Sequence, residues 1–436
     1  MELISLLHCL TLCLDHITQR RLACIAEAIL TMTGRVTMLG ISRWTEDSGS
    51  YRTIQRFYGT TIPWLKVHWF FILHHLREKD EPVLIAGDEV VVPKAGKKTH
   101  GLDRFFSSLY GKPIPGLCFQ VLSLISVKNR KSYPIHLEQV EKPVKDKQRK
   151  AAKPEKKRGR GRPKGIRNRN RQEVELSPAM LFLKQMLNSA LTLIGTDLSL
   201  IYFVYDGALG NNNGAQMARQ CGLHLISKLR YDAALYFPYD GTYSGRGAHK
   251  KYGKKLDYGN IPEQHLKSTE TEDGIRTDTY QMSMRHKLFA DLLNIVIIVK
   301  TNLATKKTAR VVLFSSDLEL PWDKLTDYYS LRFQIEFCFR DAKQYWGLDD
   351  FMNVKKQAVH NAANLSMFMV NLSHALRKQP EFAGMSVLDL KAWFRAGKYV
   401  RETLKLLPQM PEPFFIEQIT AQVATLGRIN QPVRSG

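Results

Sequence analysis

The segment from Val83 to Pro93, VLIAGDEVVVP, is a run of strand-forming apolar residues interrupted by Gly87, Asp88 and Glu89. It constrains the fold strongly, because a carboxylate inside an apolar strand is costly to bury unless a cation or hydrogen-bond donors compensate it. The segment predicts a strand that carries Asp88 into the protein, with a bound metal as one simple compensation. Two more strands are predicted in CFQVLSLISV and SYPIHLEQV, with KNRKS between them as a hairpin turn.

Further along, SPAMLFLKQMLNSALTLI has Ser177 placed to cap a helix ahead of Pro178, with Met180, Leu181, Leu183, Met186 and Leu187 at helical spacing. SLIYFVYDGALGNNNG reads as a strand ending at Asp206, then a Gly/Asn turn, a short helix and a second strand from Leu223 to Leu229. The end of a parallel strand is the usual place for a functional carboxylate in an α/β sheet. An aspartate before a glycine is also ordinary turn chemistry. From Pro321 to Trp346, PWDKLTDYYSLRFQIEFCFRDAKQYW, the residues Trp322, Leu325, Tyr328, Leu331 and Ile335 recur with helical period, and Gly347 closes the pattern. The spacing predicts one helix. At about 100° per residue, Tyr329, Arg332, Glu336 and Lys343 share one face of it. Taken alone, such a face is also what a surface ion-pair ladder presents.

The order of types on that face, Y-x2-R-x3-E-x6-K, resembles the signature of bacterial insertion-sequence transposases of the insertion-sequence-4 superfamily. The resemblance covers most of Val83 to Gly347. It implies an α/β fold: a ribonuclease-H-like catalytic core with a β-rich insertion, a helical N-terminal DNA-binding domain and a helical C-terminal region. It implies three catalytic, metal-binding acids, Asp88, Asp206 and Glu336, holding two Mg2+ ions, with Mn2+ as the expected substitute. Their chemistry would be phosphodiester hydrolysis followed by strand transfer. Tyr329, Arg332 and Lys343 would grip phosphates near the transposon end, while Glu89 and Asp341 are nearby acids that rank behind the three. The family's insertion often carries a tryptophan. None occurs between Tyr231 and Thr308, where Tyr236, Phe237, Tyr239 or Tyr243 would have to stand in, so a hairpin route of excision is left open.

The charge balance points to the same class of partner. The chain carries 64 basic and 41 acidic residues, a formal net charge of +23, and phosphate neutralisation by Lys and Arg dominates nucleic-acid binding. Between Glu141 and Glu173 stand 15 Lys or Arg against 4 acids, a run that does not fold on itself and reads as a linker or insertion. Within it, KKRGRGRPKG resembles an AT-hook. The core of that motif, Arg160, Gly161, Arg162 and Pro163, would lie in a narrow A·T-rich minor groove; a plain basic tail is the alternative. In the helical first eighty residues, YRTIQRFYG follows the capping candidate Ser50, with Tyr51, Ile54 and Tyr58 facing inward and Arg52, Gln55 and Arg56 outward. This is the outline of a helix-turn-helix that reads DNA through Arg and Gln, and equally of a helical packing domain.

The expected layout is a helical DNA-binding domain over 1–80, the first part of the core over 81–230 with the basic insertion at 141–176, and a β-rich insertion over 231–308. The second part of the core follows over 309–350 and a helical region over 351–436. The six cysteines are scattered without a C-x-x-C pair, which disfavours zinc and disulfides and fits a reducing cytoplasm. The apolar start, ELISLLHCLTLCL, has Glu2 where a signal peptide has a basic region and reads as a core helix. LLNIVIIV is too short to span a membrane.

These readings together predict a cut-and-paste DNA transposase, bacterial and cytoplasmic, working as a homodimer on double-stranded DNA at transposon ends and target, with no membrane partner. The alternatives are a catalytically silent DNA-binding derivative and a metal-dependent nuclease without strand transfer.

Overall fold

Helices form the amino-terminal region: α1 (Leu3–Leu6), α2 (His16–Thr31), α3 (Met38–Ser42), α4 (Tyr51–Gly59) and α5 (Trp64–His75). The structure is a computed structural model that describes residues 3–45, 49–79, 81–107, 110–142, 170–243, 245, 247–409, 411–426 and 429. Asp15 starts α2 by accepting the Thr18 N–H at 2.9 Å, and Leu22, Ile25, Ala26 and Ile29 face the core at spacings of three and four. The Ser50 hydroxyl starts α4 by accepting the Thr53 N–H. Ile54 and Tyr58 are buried as predicted, but Tyr51 is 43% exposed. Phe57 takes the third inward position, one helical turn from Ile54, and leaves Tyr51 in the first turn facing out.

From Val83 the chain builds one mixed sheet of twelve strands. They are β1 (Val83–Pro93), β2 (Asp103–Ser107), β3 (Lys112–Ser126), β4 (Lys131–Gln139), β5 (Tyr202–Val204) and β6 (His224–Leu229), followed by β7 (Leu235–Pro238), β8 (Tyr252–Lys255), β9 (Leu266–Glu272), β10 (Ile275–His286), β11 (Leu292–Asn302) and β12 (Thr308–Ser315). β1 runs antiparallel to β3, and β3 antiparallel to β4. On its other side β1 has β5, and β5 has β6, both parallel. The β3–β4 ladder slips between Leu122 and Ser123, where Pro134, lacking an N–H, faces Ser123. β12 then pairs antiparallel with β6, and β11, β10, β7 and β8 follow outward, so the strands between 231 and 308 extend the same sheet. β2, β7, β8 and β9 are additional to the strands read from the sequence.

The remaining helices are α6 (Pro178–Ile194), α7 (Asn212–Gln220), α8 (Trp322–Leu331), α9 (Gln334–Tyr345), α10 (Lys356–Lys378), α11 (Val387–Leu404) and α12 (Pro413–Thr425). Ser177 caps α6 by accepting the Met180 N–H. Among the described residues, no helix is long and apolar enough to cross a membrane.

The segment predicted as one helix is therefore two. Between α8 and α9 the N–H groups of Arg332, Phe333, Ile335 and Glu336 bond to carbonyls three residues back, a tight 3-10 turn, although no Pro or Gly stands there. Packing supplies the reason. Leu325, Tyr328 and Leu331 of α8 form a small core with Leu84, Ala86, Val204, Ile226 and Leu313 of the sheet, while Ile335, Cys338, Phe339 and Ala342 of α9 join the larger core beside β4 and α10. Each buried Leu or Ile contributes about 1.5–3 kcal/mol, so a bend that lets both stripes reach their cores outweighs the irregular turn.

Candidate active site

Strand alternation decides which way the acids point. Leu84 and Ala86 face the α8 side of the sheet, so Asp88 lies on that same face and Glu89 on the opposite one. On β5, Val204 faces α8, and Asp206 follows on the same side. The parallel register pairs Ala86 with Val204. Two residues further on come Asp88, still within β1, and Asp206, just past the end of β5 and close enough for its charge to act on Asp88. Past the small apolar core, this face of the sheet turns acidic, and the bend between α8 and α9 sits over it.

Backbone contacts hold both acids from beneath. Gln120 Nε2 donates to the Asp88 carbonyl at 3.0 Å, and its Oε1 accepts from the Tyr205 hydroxyl at 3.2 Å. Ser227 donates its hydroxyl to the Asp206 carbonyl at 2.6 Å. The Asp206 carboxylate accepts the Ala208 N–H and opens a short 3-10 turn, so this residue does serve as a turn cap.

Arg332 connects the helices to the sheet. Its Nη1 lies 3.1 Å from Asp88 Oδ2 and its Nη2 3.4 Å from Glu336 Oε1, with the arginine side chain 14% exposed. The other Asp88 oxygen accepts the Glu89 N–H at 2.8 Å. Burial pushes the Asp88 carboxyl up to about 6; the Glu89 N–H and Arg332 oppose that rise, and the charges of Asp206 and Glu336 add to it. Burial likewise raises the Tyr329 hydroxyl, with Arg332 opposing and both aspartates adding. Asp88, Asp206, Glu336, Arg332 and Tyr329 thus form one electrostatic neighbourhood. Lys343, on the same helix as Glu336, donates its Nζ to the Val91 carbonyl at 2.7 Å and ties α9 to β1.

As a donor set for a divalent cation, three carboxylates are chemically apt, since hard oxygen ligands suit Mg2+. The raised Asp88 carboxyl reflects burial first, with the neighbouring charges of Asp206 and Glu336 adding to it. In this arrangement, however, a guanidinium rather than a cage of oxygens stands between Asp88 and Glu336. Among the described residues, no group of three or more His, Cys, Asp or Glu is spaced to hold a metal ion.

Other sequence-predicted residues lie elsewhere. Arg52, Gln55 and Arg56 are exposed on α4, which packs on α2, α3 and α10, and no hydrogen bond or ion pair among the described residues links them to the acids. Arg160 and Arg162 lie outside the described residues. Glu89 faces away, its carboxylate near the Cys118 thiol, and Asp341 is paired with Arg340 at 2.9 Å. One residue that the sequence reading missed is Lys228. It stands on β6 two residues beyond Ile226, which pairs with Val204, and its side chain would meet any Cβ placed on Gly207 at 3.3 Å. Its alternation with Ile226 was the signal available.

The family model of the DDE superfamily endonuclease matches residues 9–288, and the chain belongs to that family. Membership makes the protein a DNA-cleaving enzyme of the transposase type, in a superfamily that works through divalent metal ions. The matched span contains both aspartates; Glu336 lies beyond it. Among solved structures, the chain is similar to the piggyBac transposase in a cryo-EM synaptic complex with hairpin DNA, at 10% identity and a TM-score of 0.38, over 100% of this chain and 85% of that one. No curated protein matches the chain.

Proposed function

We propose that the protein is a cut-and-paste transposase of an insertion sequence, with Asp88, Asp206 and Glu336 as its metal-binding catalytic acids. The observation that carries this reading is the parallel pairing of Ala86 with Val204, two residues before Asp88 and Asp206, under a helix bend that brings Arg332 to both Asp88 and Glu336. The sheet order supports a ribonuclease-H-like core: three antiparallel strands led by β1, then β5 and β6 parallel to it. The helix signature favours the insertion-sequence-4 superfamily within the wider family.

Bound Mg2+ ions, two in this reading, would supply an activated attacking oxygen and stabilise the leaving one. The three carboxylates would hold them. Gln120 and Ser227 fix the backbone on which Asp88 and Asp206 stand. Tyr329, Arg332 and Lys343 would take phosphates of the transposon end, the guanidinium through its paired N–H groups. Arg52, Gln55 and Arg56 on α4, and Arg160 and Arg162 in the basic segment, would bind double-stranded DNA away from the chemistry. The assembly on DNA would be a homodimer holding two ends, working in a bacterial cytoplasm.

The test is cleavage and joining by full-length protein on DNA carrying the element's ends. Asp88→Ala, Asp206→Ala and Glu336→Ala should each abolish cleavage while DNA affinity stays within about threefold, because phosphate contacts dominate that affinity. Cleavage surviving in all three would refute the site. A precut end with a free 3′-hydroxyl should be joined to target DNA; absence of joined product would leave a nuclease instead.

A further inference from the structure

We propose that Arg332 is a latch occupying the cation position between Asp88 and Glu336, and that DNA opens it. The inference rests on the reading of Asp88, Asp206 and Glu336 as metal ligands and adds how that site is filled. Arg332 bonds one oxygen of each outer acid, at 3.1 Å and 3.4 Å, and the second Asp88 oxygen already accepts the Glu89 N–H. A divalent ion entering between these carboxylates meets a guanidinium a few ångströms away. Like charges at that range in a half-buried site repel strongly, so the arginine and the metal compete for the same oxygens.

Two features fit the latched state to release. The Arg332 Nε is buried without a hydrogen-bond partner, so the guanidinium is only partly satisfied where it lies. The residue also stands at the 3-10 turn between α8 and α9, where its own N–H reaches back to the Tyr329 and Ser330 carbonyls. Packing on either side belongs to different cores, so the side chain can leave without dislodging a helix stripe. A DNA phosphate offers paired acceptor oxygens that suit the fork of N–H groups better than two divergent carboxylates. When the phosphate takes Arg332, Asp88 and Glu336 become free to ligate metal. Metal and DNA then bind with positive coupling, and the coupling must be reciprocal.

Mn2+ binding to full-length protein, followed by electron paramagnetic resonance with and without DNA, tests this. Without DNA, Arg332→Gln should bind Mn2+ about tenfold more tightly than the natural protein, within the usual range of such couplings. Lys324→Gln removes a like charge from the exposed side of α8 but leaves the Arg332 contacts in place, and it should change Mn2+ affinity by less than about threefold. DNA should raise Mn2+ affinity in the natural protein and much less in Arg332→Gln. Equal affinity in Arg332→Gln and the natural protein, or an equal gain in Lys324→Gln, overturns the latch. Should Arg332→Gln fail to fold, Arg332→Lys replaces it. It keeps the charge without the fork and is expected to show a smaller gain of the same sign; no gain overturns the proposal. Asp88→Asn is the separate check on the underlying site. It should weaken Mn2+ binding in every background, and indifference to it would mean that the acid reading itself is wrong.

Discussion

Two polar side chains, the buried Asn361 on α10 and the half-buried Asp88 on β1, are matched in different ways. On α10, Asn361 is fully buried with every polar atom matched: its Oδ1 accepts from Trp64 Nε1 at 2.8 Å and from Gln357, and its Nδ2 donates to the Tyr58 and Thr60 carbonyls. At the acid face, Asp88 has one backbone donor and one guanidinium, and that guanidinium leaves a buried Nε unpaired. Asn361 is thus matched completely, whereas Asn364 and Asn371 on the same helix each keep a buried Oδ1 without a partner. A polar group kept for chemistry is left partly unmatched, so that an incoming ligand can complete it. Incomplete matching alone therefore does not mark a functional group; at Asp88 it coincides with the charges of Arg332, Asp206 and Glu336.

The sharpest way to break this comparison is to remove the acids. Asp88→Asn should cut DNA cleavage by roughly three orders of magnitude or more, the scale on which loss of a group central to catalysis acts, while its unfolding midpoint in denaturant holds or rises, since a crowded carboxylate has gone. Asn361→Leu should do the reverse. It strands a buried indole N–H and several carbonyls and should destabilise the fold by about 3 kcal/mol or more, measured by urea unfolding; a loss below about 1 kcal/mol would show that the network is not structural.

A third prediction concerns pH. Burial lowers His68 and His374 to about 3 from the ordinary 6.5. Folded, both stay neutral where the unfolded chain takes up protons, so their contribution to stability is present above about 6.5 and is lost as pH falls from 6.5 toward 3. Unfolding free energy should fall over that window, and His374→Leu should flatten the slope by about one proton. An unchanged slope in His374→Leu would contradict the burial argument. The smallest effect is expected at α4. Arg52→Ala with Arg56→Ala should leave stability within about 0.5 kcal/mol while reducing the salt dependence of DNA binding by about two ion equivalents; an unchanged salt slope would favour the plain packing domain.

The strand that carries Asp88 was legible because an acid within an apolar run has few physical explanations, and alternation then distinguishes Asp88 from Glu89. Ser50 and Ser177 were legible as caps because their chemistry is local. The face shared by Arg332 and Glu336 survives the helix break, since the residues remain one turn apart. The break itself was not legible: Leu331 to Gln334 contains no helix breaker, and the turn answers to two cores that local periodicity cannot distinguish. The β-rich character of 231–308 was legible, but neither β7, β8 and β9 nor the joining of these strands to β6 through β12, because sheet partners far apart in sequence leave no local signal. Tyr51 shows the same limit on a small scale, since Phe57 and Tyr51 compete for one inward position and only packing chooses.

The central claim, convergence of Asp88, Asp206 and Glu336 on bound metal, has a direct physical test. Fe2+ substituted into the DNA-bound enzyme and treated with hydrogen peroxide and ascorbate is oxidised to Fe3+ as the peroxide splits to hydroxide and a hydroxyl radical, which cuts the polypeptide near the site. The account predicts breaks clustered around residues 88, 206 and 336 that Mg2+ suppresses by competition. Breaks at one of these positions alone, or at none, would contradict it.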